Sequence, residues 1–523
     1  MIQPTFINTF QKGATENANI GTGTFLGVET YSKKGVIRLT KDTVKVSGSA
    51  VTDLPIFFTL GPAAGTSYYV FAQGDTGKVY FSNDGGASWS DVSNSGNSFG
   101  SGKGRGIIYY DGVLYAFFNG TIQYSKDYGA NWAYPWNPNG GTLTLTGTYN
   151  TPFIFPSAYG FYFANGNYVG LLQEKTPGTS VDPASTSTYY FNEKQLTLPS
   201  FYEVTCLSFL PPSQLMIGTK SSSNPQVADI IGWDTVSLNK FSPPLRLYSN
   251  AVIGESGVTQ LINRNNVLYA VTGGSHSVYQ TNGSTFTIVS EMALRTNYRK
   301  TTGEQATTTV FLNPYPQAIA VLGNKLLTGV SASTNSSIYA PSGYALSPMG
   351  VWSLAFTDND IAVQCEFTLS SGVTRSNTFK IGSLFTMDSG QILIGWYDGT
   401  NYGIDQSLVT TYQNDGTQVV LESAMMEIGT PLNPSPAYNS IEINLVRNLL
   451  AGQSISIYAR TAFDQPYTLI QTFDTSTWTG DLNALQTTIN PLGQSRYLQI
   501  YLSINTGSPN EAFTPEVRTI IVK

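Results

Sequence analysis

Cysteine, histidine and charge are scarce in this chain. Among 523 residues there are 2 cysteines, Cys206 and Cys365, and 1 histidine, His276. Two distant cysteines exclude a disulfide scaffold, and with one histidine they cannot furnish an ordinary zinc site. Two buried free thiols and synthesis in a reducing cytoplasm are the expectation. Charged residues make up 11% of the chain, against about 25% in an ordinary soluble domain. The net charge of −6 and pI near 5.0 leave no basic surface for nucleic acid, although weakly repelling walls would suit DNA in passage. No run of about 18 apolar residues is present, so no membrane insertion is expected. The opening Met1-Ile2-Gln3-Pro4-Thr5-Phe6 has no basic stretch leading into an apolar core, so no signal peptide is expected. No stretch carries a persuasive helical period.

What the chain does have is turns and apolar strands. Glycine (51) and tyrosine (32) are abundant, and hydrophobic residues reach 41%. That composition fits an all-β protein with polar, uncharged surfaces, and the length implies two or three domains. Short apolar strands recur from about residue 46, punctuated by Gly, Asn, Asp, Ser and Pro, with hairpin dipeptides at Asp111-Gly112 and Asn119-Gly120.

Two stretches share one pattern: Ser82-Asn83-Asp84-Gly85-Gly86-Ala87-Ser88-Trp89 and Ser125-Lys126-Asp127-Tyr128-Gly129-Ala130-Asn131-Trp132. Ser125 follows Ser82 by 43 positions, about the length of one four-stranded propeller blade. The pattern resembles the Asp-box repeat of sialidase-type propellers, a turn between the outer strands of a blade. Asp84 and Asp127 can fold back onto turn amides, Gly86 and Gly129 supply positive φ, and Trp89 and Trp132 pack into the blade. Ser82 and Ser125 open the two turns. The motif occurs in enzymes and non-enzymes alike, so it speaks for fold and assigns no catalytic, cofactor or metal residue.

Residues 1–45 read as an extended arm ending in a solvated, possible ring-closing strand. Residues 46–412 read as a β-propeller of six or seven blades. Beyond a change near 405–415, residues 413–523 carry longer, cleanly alternating strands such as Ser440–Val446, Ser454–Arg460 and Tyr497–Ser503, as in a β-sandwich of jelly-roll type.

Sites of chemistry are thin. His276 lacks a nucleophile elbow and reads as a surface or blade-edge residue. Gly100-Ser101-Gly102-Lys103-Gly104 has Asn97 and Gly104 where a phosphate loop needs Gly and Ser/Thr, so it reads as an inter-blade loop. Asp358-Asn359-Asp360 lacks the rest of a calcium loop. Val36-Ile37-Arg38-Leu39 lacks the proline of the Arg-Ile-Pro element that opens sialidase domains. The arginines a sialidase would gather around its substrate (Arg38, Arg105, Arg246, Arg264, Arg295, Arg299 and Arg375 among them) are scattered in sequence.

The layout of arm, irregular propeller with Gly395-Trp396 near its end, and terminal sandwich resembles structural proteins of tailed-bacteriophage virions, in particular nozzle-like tail proteins. That resemblance implies a non-enzymatic tail component without cofactors, located in the virion and made in the host cytoplasm. Its partners would be copies of itself in a ring and other tail or portal-proximal proteins, with DNA only in passage. A receptor- or glycan-binding tail module contacting a host surface glycan is the alternative, and a sialidase-like glycosidase the second alternative.

Overall fold

A computed structural model describes residues 5–7, 24–26, 28–29, 36–65, 67–93, 102–138, 140, 143–156, 159–211, 214–221, 229–235, 257–273, 276–281, 286–291, 314–331, 350–356, 361–367, 369–370, 373, 378–412, 420–422, 426–427, 440–461, 465, 467–488, 497–507 and 513–522. Among them there is no helix; the architecture is all-β, built from small antiparallel sheets.

The sheets follow one another along the chain as meanders. The first comprises Pro55–Ala64, Ser67–Gly74, Val79–Ser82 and Ser90–Asp91, and the second Gly104–Tyr110, Val113–Phe118, Thr121–Ser125 and Ala133–Trp136. The third comprises Pro152–Ile154, Gly160–Asn165, Tyr168–Glu174 and Tyr189–Thr197, and the fourth Tyr202–Leu210, Gln214–Ser221 and Ile230–Trp233. Val258–Arg264, Val267–Thr272, Ser277–Thr281 and Phe286–Glu291 make the fifth. The sixth contains Ile319–Leu322, Lys325–Val330, Gly350–Phe356 and Ile361–Phe367, and the seventh Lys380–Thr386, Ile392–Tyr397 and Tyr402–Tyr412. The opening strand of each sheet packs beside that of the next, and Lys380–Thr386 returns to Pro55–Ala64, so the series closes on itself. This is a propeller-like arrangement.

Local chemistry explains the strands. Val113–Phe118 is buried at every position because its sheet is covered on both faces by neighbours, so it reads as a continuous apolar run. Both residues of Asp111-Gly112 have positive φ (48° and 81°), as do Asn265-Asn266 (51° and 63°), which is the tight-hairpin geometry their sequences favour. Trp233, Trp352 and Trp396 are fully buried, and Trp233 meets Tyr162 of the preceding sheet at 5.7 Å between ring centres.

The two ends of the chain are sewn into this body. Lys41–Lys45 is the fourth strand of the seventh sheet, pairing Val44 with Gln406 and Thr43 with Ser407. Thr24–Leu26 lies between Ile361–Phe367 of the sixth sheet and Val420–Glu422, joining that sheet to a run of Tyr497–Asn505, Ser454–Arg460 and Thr468–Asp474. Thr5–Ile7 pairs with Val517–Val522, which lies beside Ser440–Leu445, and Ala484–Thr488 pairs with the other edge of Ser440–Leu445. These two C-terminal sheets share one apolar core, in which Ile443, Ile457, Leu485, Ile500 and Ile520 alternate inward. Ile37 and Leu39 are also in that core, and Ile37 exchanges backbone hydrogen bonds with Val517. The expectation of a solvated strand is therefore corrected over Val36–Thr40: its apolar side chains cover the end of the C-terminal core.

Candidate functional site

The two Asp-box turns have the same construction. In the first, Gly86 N donates to Ser82 Oγ (2.8 Å), and Ser82 Oγ donates to Asp84 Oδ1 (2.8 Å). Asp84 also accepts from Ser88 N (2.9 Å) and Ser88 Oγ (2.5 Å), closing the loop. In the second, Gly129 N donates to Ser125 Oγ (2.8 Å), Ser125 Oγ to Asp127 (2.7 Å), and Asn131 N and Nδ2 to Asp127 (2.8 and 2.6 Å). Gly86 and Gly129 sit at φ 90° and 91°, where a side chain is strained. Burial opposes the charge on Asp84, but the donors on Ser88, Ser82 and Ala87 outweigh it and hold the carboxyl below its ordinary range. Asp127 is held low in the same sense, burial being outweighed by Asn131 and Ser125.

Each corner also faces a neighbouring sheet, which the motif does not announce. Trp89 packs with Phe58, Met387, Leu393 and Ile404, three of them from the seventh sheet and its turn. A Cβ on Gly86 would come within 2.9 Å of Leu393 Cδ1. Trp132 packs against the first sheet and donates from Nε1 to Val92 O (3.1 Å), while a Cβ on Gly129 would meet Val92 Cγ2 at 2.8 Å. The corners bind one sheet to the one before it.

At the end of the ring where the chain enters each sheet, aromatic and charged groups gather. Phe57 meets Tyr149 (6.1 Å), and Tyr149, ahead of the third sheet, meets Tyr315, ahead of the sixth (6.3 Å). Burial raises both phenols above their ordinary range, with Asp75 adding to it. Asp53 accepts from Thr76 N and Oγ1 (both 2.7 Å) and from Leu54 N (2.8 Å); burial nevertheless keeps its carboxyl raised. Glu203 pairs with Lys220 (2.9 Å) and accepts from Thr148 N (2.5 Å), with the Arg105 guanidinium in its field. Of the other arginines named above, Arg264 lies over Phe356 away from this end, and Arg246, Arg295, Arg299 and Arg375 lie outside the described residues.

His276 is not a surface or edge residue, which corrects the expectation. It is fully buried at φ 55°, and Nε2 lies 2.8 Å from Thr328 Oγ1. Thr328 spends its own proton on Gln260 Oε1 (3.1 Å), so His276 donates from Nε2. Gln260 Nε2 in turn donates to Tyr315 O (2.8 Å), and this chain of side chains joins the fifth sheet to the sixth. Burial lowers the imidazole to about 3. Cys206 and Cys365 are buried free thiols, and burial pushes Cys206 up to about 12. Gly100 and Ser101 of the glycine-rich loop and all of Asp358-Asn359-Asp360 lie outside the described residues. Among the described residues no group of three or more His, Cys, Asp or Glu could hold a metal ion, and no helix is long and apolar enough to cross a membrane.

A carboxylate that sequence reasoning passed over holds the ring's last joint. Asp405 is fully buried and accepts from Thr43 Oγ1 (2.8 Å), Ser370 N (2.7 Å), Ser370 Oγ (3.0 Å) and Trp396 Nε1 (2.7 Å). Nothing in the local sequence around Asp405 marks it, because its partners come from three separate segments, Thr43 being 362 positions away, Ser370 35 and Trp396 9.

No family model matches the chain, and no curated protein matches its sequence. Among solved structures it is similar to the extracellular domain of BT4673 from B. thetaiotaomicron (14% identity, TM-score 0.45), over 78% of this chain and 44% of that one. It is also similar to YCF48 bound to D1 peptide (9% identity, TM-score 0.43; 71% and 96% of the two chains). A third similarity is to an exo-β-1,3-galactanase from Phanerochaete chrysosporium (11% identity, TM-score 0.30; 82% and 97%). The chain thus spans less than half of the first of these, and likenesses this distant carry no argument about activity.

Proposed function

We propose that this protein is a non-enzymatic structural component of a phage virion, placed in the tail at the nozzle or tip and assembled as a symmetric ring of copies. In this reading the seven small sheets are seven propeller blades, and the two C-terminal sheets are a jelly-roll-type sandwich carried on the sixth blade. Neighbouring tail or portal-proximal proteins are its other partners. DNA meets the assembled ring only in passage.

The observation that carries the reading is how three early strands are secured by strands far along the chain. Lys41–Lys45 completes the seventh sheet, Thr24–Leu26 bridges the sixth sheet to the C-terminal one, and Thr5–Ile7 pairs with the last strand. A body whose early strands Thr5–Ile7, Thr24–Leu26 and Lys41–Lys45 each pair with strands more than three hundred residues later resists peeling of its sheets under load. That suits scaffolding that must stay shut while a particle is built and emptied. The low share of charge supports large polar interfaces, which symmetry multiplies.

The test is to purify the full chain and measure its mass in solution and its ring order by electron microscopy, then to label it in particles of the phage that encodes it. Rings of one defined order and label at the tail are expected. A chain that stays monomeric at high concentration and is missing from purified particles would end the proposal.

A further inference from the structure

The two Asp boxes differ at one position in a way their shared geometry does not require. After the aspartate, the first has Gly85 at φ 72° and the second has Tyr128 at φ 60°. A bulky residue in this region of backbone is a genuine outlier. At Gly85 the space is not closed: an added Cβ would meet Ser67 only at 3.4 Å, an ordinary contact. So the turn works with glycine, and the second copy accepts strain to carry an aromatic ring.

That ring is not hidden in return. Tyr128 is 36% exposed and caps a stack between the first and second sheets. It meets Tyr69 edge-on at 4.7 Å, lies within 7° of parallel to Phe81 at 6.4 Å, and lies 30° from Tyr109 at 6.4 Å. Phe71, fully buried, backs Phe81 and Tyr109 at 5.1 and 6.0 Å. Tyr69, Phe81 and Tyr109 are all partly exposed, so the rings form a shelf with a firm back.

The nearby carboxylates are occupied. Asp84 and Asp127 serve their own turns, and Asp111 accepts from Val181 N at 2.6 Å. Around the rings, phenol oxygens supply hydrogen-bonding groups without charge. A shelf of this kind suits a ligand with an apolar C–H face and hydroxyls at its edge. The C–H hydrogens meet the electron-rich ring faces and the hydroxyls reach the phenols.

We propose that Tyr69, Phe81, Tyr109 and Tyr128 form a binding shelf for a neutral saccharide, stacked on Tyr128. This does not rest on the virion reading and can fail or hold independently of it.

The test uses the full chain, titrated with maltohexaose, cellohexaose and a linear mannohexaose by calorimetry and saturation-transfer NMR, beside a decaproline peptide. At least one hexasaccharide should bind, with saturation transfer to its ring protons. Tyr128→Gly, which gives the second box the residue of the first, should weaken that binding about tenfold or more, equal to about 1.4 kcal/mol. Its thermal midpoint should stay at or above that of the parent, because the backbone strain is relieved. Tyr128→Phe keeps the ring and should bind within about threefold of the parent. If Tyr128→Gly fails to fold, Tyr128→Asn, which also tolerates this backbone, takes its place with the same expectation. The proposal is overturned if no hexasaccharide binds, if removing the ring leaves binding unchanged, or if decaproline alone occupies the shelf. If both Tyr128→Gly and Tyr128→Asn melt well below the parent or fail to fold, the proposal is also overturned, since the ring would then be there for packing.

Discussion

The corner at Asp127 and the joint at Asp405 each use one carboxylate to gather several donors, but over very different lengths of chain. Asp127 draws its partners from Ser125 and Asn131, within one turn. Asp405 reaches Thr43, 362 residues away, as well as Ser370 and Trp396. The first is exposed and lies on the surface of a sheet; the second is fully buried at the meeting of three segments. Energetically the two should behave differently. An exposed turn can return its donors to water when the carboxylate is lost, whereas a buried joint leaves them with nothing.

That contrast predicts a ranking. Asp405→Ala should cost the most, about 4 kcal/mol or more, because the buried Trp396 indole N–H, the Ser370 amide and two hydroxyls lose their acceptor together. Chemical denaturation of the full chain measures it. A loss below about 1 kcal/mol would show that the ring does not depend on this joint.

The second prediction concerns His276, another long-range joint. Its imidazole is lowered to about 3 by burial, so between about pH 6.5 and 3 the unfolded chain takes up a proton that the folded chain refuses. Stability should therefore fall on acidification across that window by roughly 1.4 kcal/mol per pH unit from this group. His276→Asn should flatten the slope relative to the parent in denaturation midpoints taken at pH 7, 5 and 4. Equal slopes would mean that the ring is hydrated in the folded state.

Asp84→Ala and Asp127→Ala should each cost about 1–2 kcal/mol, as removal of a capping carboxylate does. Their effects should add within about 0.5 kcal/mol, because the two carboxylates share no partner: Asp84 holds Ser82 and Ser88, Asp127 holds Ser125 and Asn131. Strong coupling between them would show that the corners communicate around the ring. The smallest effect belongs to Ser88→Asn, which copies Asn131 into the first corner. It should change stability by no more than about 0.5 kcal/mol if the corners are interchangeable, and a larger loss would show that each is fitted to its own neighbour.

The same contrast explains what could be read from the sequence. The turns at Ser82–Trp89 and Ser125–Trp132 were legible because every partner lies within a few residues of Asp84 or Asp127. The alternation of Ser454–Arg460 and Ser440–Leu445 was legible too, because one face of each strand meets an apolar core. The burial of His276 was not, because Gly273-Gly274-Ser275 reads as loop and the residue that accepts its hydrogen bond, Thr328, is 52 positions on. Nor was the cover that Ile37 and Leu39 provide for the C-terminal core, since their partner Val517 is at the far end of the chain. The candidate shelf was not legible. Tyr128 stands out only when its φ is set beside that of Gly85, and its neighbours Tyr69 and Tyr109 come from two sheets.

The bridge made by Thr24–Leu26 has a consequence for synthesis. These residues leave the ribosome long before one of their partners, Val420–Glu422, which emerges nearly four hundred residues later and itself leans on Tyr497–Asn505. The nascent protein must hold this segment unpaired while sheet after sheet forms behind it. Maturation should therefore be limited by this last stitch, and a polypeptide arrested before residue 420 would expose adhesive strand edges until it was finished or destroyed.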